Sequence, residues 1–134
     1  IDERTPIAIW QTNHNLYLID SDGVKLCNAK SNKNYVTLIG ANANLDAKEL
    51  IYCLRKYGIK DISHAYFVGK RRWDVVTRDI TLKLPEDNID DAIKTYKNLL
   101  LEDIITPDVS IIDLRLKNKI IVRKKKIVNK MTAL

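Results

Sequence analysis

The sequence predicts an α+β fold: a mostly antiparallel, twisted sheet with two helices packed on it. Three observations predict it. Short apolar or alternating runs recur along the chain, and most are joined by links of hairpin length, the habit of antiparallel strands. Two segments instead space their apolar residues as one face of a helix. No internal repeat of fixed period is visible.

The elements follow in order. Thr5 to Gln11 reads as a strand with Ile7, Ile9 and Trp10 as its apolar members, and Asn15 to Asp20 as a second, alternating Leu16 and Leu18 with Tyr17 and Ile19. Ser21-Asp22-Gly23 supplies a tight turn, because Gly accepts positive φ and Asp hydrogen-bonds its own backbone. Val24 to Cys27 returns as the partner strand, the polar stretch Asn28 to Asn34 is a loop, and Tyr35 to Ile39 is a short strand ending at Gly40. Asp46 and Glu49 form a capping-box pattern at the start of a helix over Asp46–Tyr57, with Gly58 where a C-terminal cap belongs. Ile62 to Val68, Trp73 to Thr77 and Ile80 to Leu84 are three further strands, the last two joined through Arg78-Asp79.

A second helix covers Asn88–Leu101. Asp90 and Asp91 suit its positive end, and Ile89, Ala92, Ile93, Tyr96, Leu99 and Leu100 make a one-sided apolar stripe. Val109 to Leu116 and Lys119 to Lys124 close the series, joined by Lys117-Asn118. Leu54, Ile93, Tyr96 and Leu100 are expected in the core.

Composition narrows the classes. With 134 residues, 46% apolar and 30% charged, the chain is one ordinary globular domain able to bury a core without disulfides or metal. No run approaches the eighteen or so apolar residues of a membrane span. The chain opens on Ile1 rather than Met and carries no signal peptide, which reads as a fragment whose targeting segment lies upstream. Seven cations and no acid lie between Lys117 and Lys130, so the formal charge of +6 belongs to that stretch and the remainder is close to neutral. Such a stretch attracts anionic membrane, nucleic acid or an acidic peptide, and charge alone does not choose among them. Two cysteines, Cys27 and Cys53, are too few for a stapled scaffold, and Cys53 falls on the apolar face of the first helix. Whether they pair stays open.

Catalytic and metal chemistry find no constellation in the sequence. His14 and His64 have no Cys, His or carboxylate at ligand spacing. Asp20-Ser21-Asp22-Gly23 resembles the middle of a calcium loop, but Leu18 and Ala29 stand where its end ligands belong. No Gly-rich phosphate loop occurs. Ser63 and His64 are adjacent on a strand and so face opposite ways. The expectation is no enzyme, no metal and no cofactor. Arg71-Arg72-Trp73 with Tyr66 and Phe67 interleaves cations and aromatics as nucleic-acid binders do. The alternative is that Trp73 and Phe67 fill the packed face while the arginines point to solvent, which makes Trp73 structural and Arg72 a recognition residue.

Taken in order, the motifs resemble the periplasmic region of the FtsQ/DivIB family of bacterial cell-division proteins. They are Glu3-Arg4-Thr5-Pro6-Ile7-Ala8-Ile9-Trp10-Gln11, then Leu18-Ile19-Asp20 with Asp22-Gly23, Leu38-Ile39-Gly40-Ala41-Asn42-Ala43-Asn44, Arg71-Arg72-Trp73-Asp74, Leu84-Pro85 and Ile112-Asp113-Leu114-Arg115. The style is closest to the alphaproteobacterial branch. One departure is Arg78-Asp79, where the family usually has an Asn-Gly-like hairpin, and another is the Lys-rich last strand.

The resemblance implies a bitopic inner-membrane protein with a cytoplasmic tail, a transmembrane helix, a POTRA domain and then a β domain. Residues 1–10 would be the junction with an upstream POTRA domain and the first strand, 5–124 the β domain, and 125–134 a basic tail. It also implies a non-enzymatic scaffold at the division septum, the domain lying in the periplasm and binding FtsB and FtsL, with FtsB adding a strand to the last strand of the sheet. The residues agree on physical grounds. A terminal strand has one unpaired side, and cations flanking Ile120-Ile121-Val122 guard it against copies of itself while favouring an acidic incoming strand. The expected partner-binding set is Arg71, Arg72, Leu116, Asn118, Lys119, Ile120, Ile121, Val122, Arg123 and Lys124. A basic module binding nucleic acid or an anionic membrane surface is the alternative.

Overall fold

The structure is a computed structural model that describes residues 4–125. Nine strands form one sheet: β1 (Ala8–Thr12), β2 (Asn15–Ile19), β3 (Lys25–Asn28), β4 (Thr37–Ile39), β5 (Ile62–Val68), β6 (Arg72–Thr77), β7 (Ile80–Lys83), β8 (Val109–Asp113) and β9 (Ile121–Lys124). Helix α1 (Ala47–Lys56) lies between β4 and β5, and α2 (Ile89–Leu101) between β7 and β8. The spatial order is β3-β2-β1-β4-β5-β6-β7-β8-β9, so β3 and β9 are the two edges.

The pairing is mostly antiparallel, as expected. The exceptions are β1 with β4, β4 with β5 and β7 with β8, which run parallel. Two of these joints are where a helix carries the chain back to start a neighbouring strand in the same direction. The sheet is thus a string of hairpins interrupted by two βαβ crossovers and by the loop that carries the chain from β3 past β2 and β1 to β4.

Local chemistry accounts for the turns. Asp20 is buried, and its Oδ1 accepts the N–H groups of Asp22 and Val24, both at 2.9 Å. Gly23 at φ +81° completes this turn, and a Cβ there would lie 2.6 Å from the carbonyl oxygen of Asn44. Arg78 takes a positive φ of 55° in the β6–β7 turn, which a glycine adopts with less strain. Its N–H donates to Asp61 C=O at 3.0 Å and its Nε lies 3.5 Å from the Asp61 carboxylate. Those contacts let Arg78-Asp79 stand in place of a glycine turn.

Several expected boundaries move. The first strand begins at Ala8 rather than Thr5, the fourth at Thr37 rather than Tyr35, and the third runs to Asn28. The capping box is not formed: Asp46 occupies the N-cap of α1 without a side-chain cap hydrogen bond. The eighth strand ends at Asp113, not Leu116, because the Asp113 carboxylate turns back onto Arg115. The last strand starts at Ile121, so Lys119 and Ile120 lie outside it; Asn118 at φ 61° and a Lys119 N–H bond to Leu116 C=O make a turn there.

Both helices pack on one face. Strand alternation and register place Ala8, Leu38, Ala65, Trp73, Val75, Leu82 and Ile112 on that face, where they meet Leu50, Leu54, Ile93 and Tyr96 of the helices. Leu54, Ile93 and Tyr96 are buried as expected, whereas Leu100 is only half-buried because the C-terminal turn of α2 reaches a groove at the sheet's margin. Tyr57 and Lys56 of the first helix region bond Asp90 of α2 at 2.8 and 3.0 Å, which fixes the helices to each other as well as to the sheet. Ile93 is fully enclosed, so Ile93→Ala should cost about 2–5 kcal/mol in chemical denaturation. A loss under about 1 kcal/mol would mean that α2 is not seated on the sheet.

Candidate functional site

Among the described residues, β9 is one of the two strands with a neighbour on one side only, β3 being the other. Backbone amides along a strand point alternately to its two sides. The N–H of Lys125 donates to Asp108 C=O at 2.7 Å, so Lys125 faces β8. Leu114 N–H donates to Lys83 C=O at 2.9 Å, so Leu114 and, by alternation, Ile112 face β7, leaving Ile111 and Asp113 turned to β9. Their partners are Arg123 and Ile121. Both arguments give one parity: Ile121, Arg123 and Lys125 bond inward, and the backbone groups of Val122 and Lys124 point to the open side. A bulge at Ser110, whose hydroxyl donates to Arg123 C=O at 3.3 Å, keeps the two strands in phase.

The side chains divide between faces. Val122 lies opposite Ile112 on the helix-bearing face, beyond the cover of α2, and is about half exposed together with Leu116 and Ile120. Between α2 and the β8–β9 connection runs a groove of about 890 Å³, with Ala92 and Thr95 on the helix side and Leu114, Leu116 and Ile120 on the other. The strand edge therefore adjoins a groove of mixed lining, in which Leu114, Leu116 and Ile120 are flanked by charged residues such as Asp91, Lys94 and Lys119. On the opposite face, Ile121 and Arg123 stand beside Asp113 and Ile111.

That opposite face carries a charged row: Lys83 on β7 stands between Asp74 on β6 and Asp113 on β8. Arg72 holds Asp74 at 2.5 Å, and Arg115 chelates Asp113 through Nε at 2.9 Å and an Nη at 2.7 Å while donating its backbone N–H at 3.1 Å. Arg115 and these bonds outweigh burial and hold the Asp113 carboxyl down at about 2. A carboxylate lowered by folding stabilises fully above its unfolded pKa of roughly 4, and that stability is lost as the pH falls through the folded value. Melting temperature should therefore fall between about pH 4 and pH 2, and Arg115→Ala should flatten this slope. An unchanged slope would assign acid sensitivity to other carboxylates.

The expected site residues fall into three places. Ile121, Val122, Arg123 and Lys124 form the edge strand. Leu116, Asn118, Lys119 and Ile120 sit in the exposed connection before it. Arg71 and Arg72 lie at the β5–β6 hairpin, three strands inward, and are not brought to β9. Arg72 is not a free solvent cation as expected: its side chain is 17% exposed and paired with Asp74. Trp73 is buried against Phe67, ring centres 4.7 Å apart, as expected of a structural residue. Lys124 is partly committed to Asp108 at 3.5 Å, whereas Arg123 makes no ion pair among the described residues. Sequence reasoning missed Lys83, Asp113 and Arg115 as one electrostatic unit. Only the registers bring them together, although the Asp-x-Arg spacing was visible. Cys27 is exposed, Cys53 buried, and both are free. Of the basic stretch, Lys126 and Lys130 lie outside the described residues.

The model of the C-terminal region of the cell division protein FtsQ/DivIB matches residues 8–115. The cell division protein FtsQ of Rickettsia conorii is 35% identical over 128 residues, covering 91% of this chain and 48% of its own length. That of Bartonella bacilliformis is 32% identical over 126 residues, covering 90% of this chain and 41% of its own. The chain thus spans about half the length of the curated relatives it matches. Among solved structures, the major extracytoplasmic domain of the division protein DivIB from Geobacillus stearothermophilus aligns with a TM-score of 0.54 at 13% identity, covering 79% of this chain and all of that one, a likeness of fold. A family model over most of the chain, relatives of a single kind and the shared sheet converge: the chain belongs to the FtsQ/DivIB family of bacterial cell-division proteins, in its alphaproteobacterial form.

Proposed function

We propose that this domain is a docking platform of the division machinery whose β9 edge accepts an extended segment of an FtsB-type protein, with an FtsL-type protein in the same assembly. Membership of the family places the chain in cell division, and the family is a non-enzymatic one. The observation that carries the finer reading is the outward pair of backbone positions at Val122 and Lys124, beside the exposed Leu116, Ile120 and Val122. Main-chain bonds to such an edge supply affinity, and neighbouring apolar sites supply specificity. Arg123 would steer an acidic segment towards the edge. No helix of the described residues is long and apolar enough to cross a membrane. The full protein is proposed to be held in the inner membrane by one helix outside this fragment, with this domain in the periplasm at the septum and a POTRA domain preceding it.

The test is calorimetric titration of the domain with the periplasmic segment of the FtsB-type protein of the same organism, repeated across salt concentrations, with amide exchange on the complex. Strand addition slows exchange at Val122 and Lys124 and weakens only modestly with salt. A polyanion module would bind nucleic acid or anionic vesicles, with affinity falling linearly in log salt. Binding without protection at those two amides would overturn the edge as the site.

A further inference from the structure

The sheet has a second edge, at β3, which the docking reading leaves unused. One bond fixes its backbone parity: the N–H of Ala29 donates to Leu16 C=O at 2.9 Å, so Ala29 turns towards β2. The register Tyr17↔Asn28 and Leu18↔Cys27 is regular up to a shift opposite Ile19, so by alternation Cys27 also turns towards β2. The backbone groups of Leu26 and Asn28, on either side of Cys27, point to the open side. The Cys27 side chain stands beside Leu18 on the face away from the helices, and both Cys27 and Asn28 are exposed.

This edge lacks the guard that β9 carries. Charged side chains standing on an edge discourage pairing with other copies, and β9 has Arg123 and Lys124, but Leu26-Cys27-Asn28-Ala29 is uncharged. Lys25, the cation of β3, is drawn over the rings of Tyr17 and Trp10, its Nζ 4.4 and 5.3 Å from their centres. A charged incoming strand finds no opposite charge along these four residues. An uncharged strand whose open backbone groups have the same spacing fits, and β3 of a second copy is such a strand.

Parity selects the alignment. With a two-fold axis through Cys27, Leu26 of each copy faces Asn28 of the other, so open backbone groups meet open ones and each such pair exchanges two main-chain bonds. An axis placed between two residues would instead set an outward Leu26 or Asn28 against an inward Cys27 and make no ladder. In the selected alignment Lys25 faces Ala29 of the second copy and Lys30 faces Val24, so no like charges are opposed. We propose that this chain self-associates by antiparallel pairing of β3 with β3 of a second copy, the two Cys27 residues lying side by side on the axis. The contact is small, which makes the dimer weak and dependent on concentration. The two nine-stranded sheets join edge to edge with their helices on one face, and a β9 edge stays open at each far end.

Sedimentation velocity of the 134-residue chain across protein concentration, with thiols reduced and no partner present, tests this. The parent chain should pass from monomer to dimer as concentration rises. Asn28→Pro removes an outward N–H, and Cys27→Lys sets like charges on the axis at an exposed position; each should weaken the dimer by about tenfold or more. Val122→Pro, at the other edge, should leave it unchanged. In a Cys53→Ser background, mild oxidation should link two copies through Cys27, because residues opposed in a non-hydrogen-bonded pair lie about 4.5 Å apart at Cα, within disulfide reach. Moving the thiol two strands inward on the same face, by Cys27→Ser with Gln11→Cys, should abolish the link. A chain that stays monomeric up to about 1 mM overturns the inference, as does a dimer equally tight in a folded β3 variant. A dimer lost on Val122→Pro overturns it in favour of the β9 edge. Partner titration at β9 is read separately, and its failure leaves the β3 result standing.

Discussion

Val122→Pro leaves the domain folded and removes partner capture. Proline lacks the N–H that Val122 directs to the open side and sets its ring where an incoming strand must approach. Edge strands tolerate proline where the lost donor faced solvent, and the preceding Ile121 is already extended, as a residue before proline prefers. Affinity for the FtsB-type segment should fall by on the order of 100-fold, about 2.7 kcal/mol. Stability should change by no more than about 1 kcal/mol, since β8 loses no bond. Ile121→Pro is the contrasting variant, because the amide it deletes faces β8, and it should lower stability before binding can be read. If Val122→Pro binds normally while folded, the docking site lies elsewhere. Arg123→Glu should act through the association rate, by loss of steering. Adding Lys124→Glu contributes less to steering than a free cation would and also breaks the contact with Asp108.

Trp73→Ala should be the most damaging single truncation, costing about 3–5 kcal/mol. Trp73 is 2% exposed on the helix-bearing face and packed on Phe67, its partner across β5 and β6. Chemical denaturation measures the loss, and a cost below about 1 kcal/mol would contradict the packing. Arg72, its neighbour in sequence, faces the opposite side. Arg72→Glu sets a second carboxylate beside Asp74 and should cost about 1–2 kcal/mol, between the values for exposed and fully buried pairs. Partner affinity measured on that variant decides whether Arg72 has a recognition role in addition to this pair.

The elements of this protein were written in its sequence because their signals are local. The strand read at Ile62–Val68 has the bounds the structure gives it, and the apolar stripes located both helices to within about a residue. The alternation of side chains across a strand was enough to bury Trp73 and turn Arg72 to the other face. What depended on distant partners was not legible there. The end of β8 at Asp113 follows from a carboxylate that folds back onto Arg115 and is flanked by Lys83 from another strand. The half-exposed state of Leu100 follows from where the sheet stops beneath α2, not from its place in the stripe. The docking edge shows the division most clearly. A terminal strand rich in Ile, Val and Lys announces that an edge exists. Which amides it leaves open depends on the neighbour's register and on the bulge at Ser110. A shift of one residue would exchange Val122 and Lys124 for Ile121 and Arg123, with no change in the sequence of the strand itself.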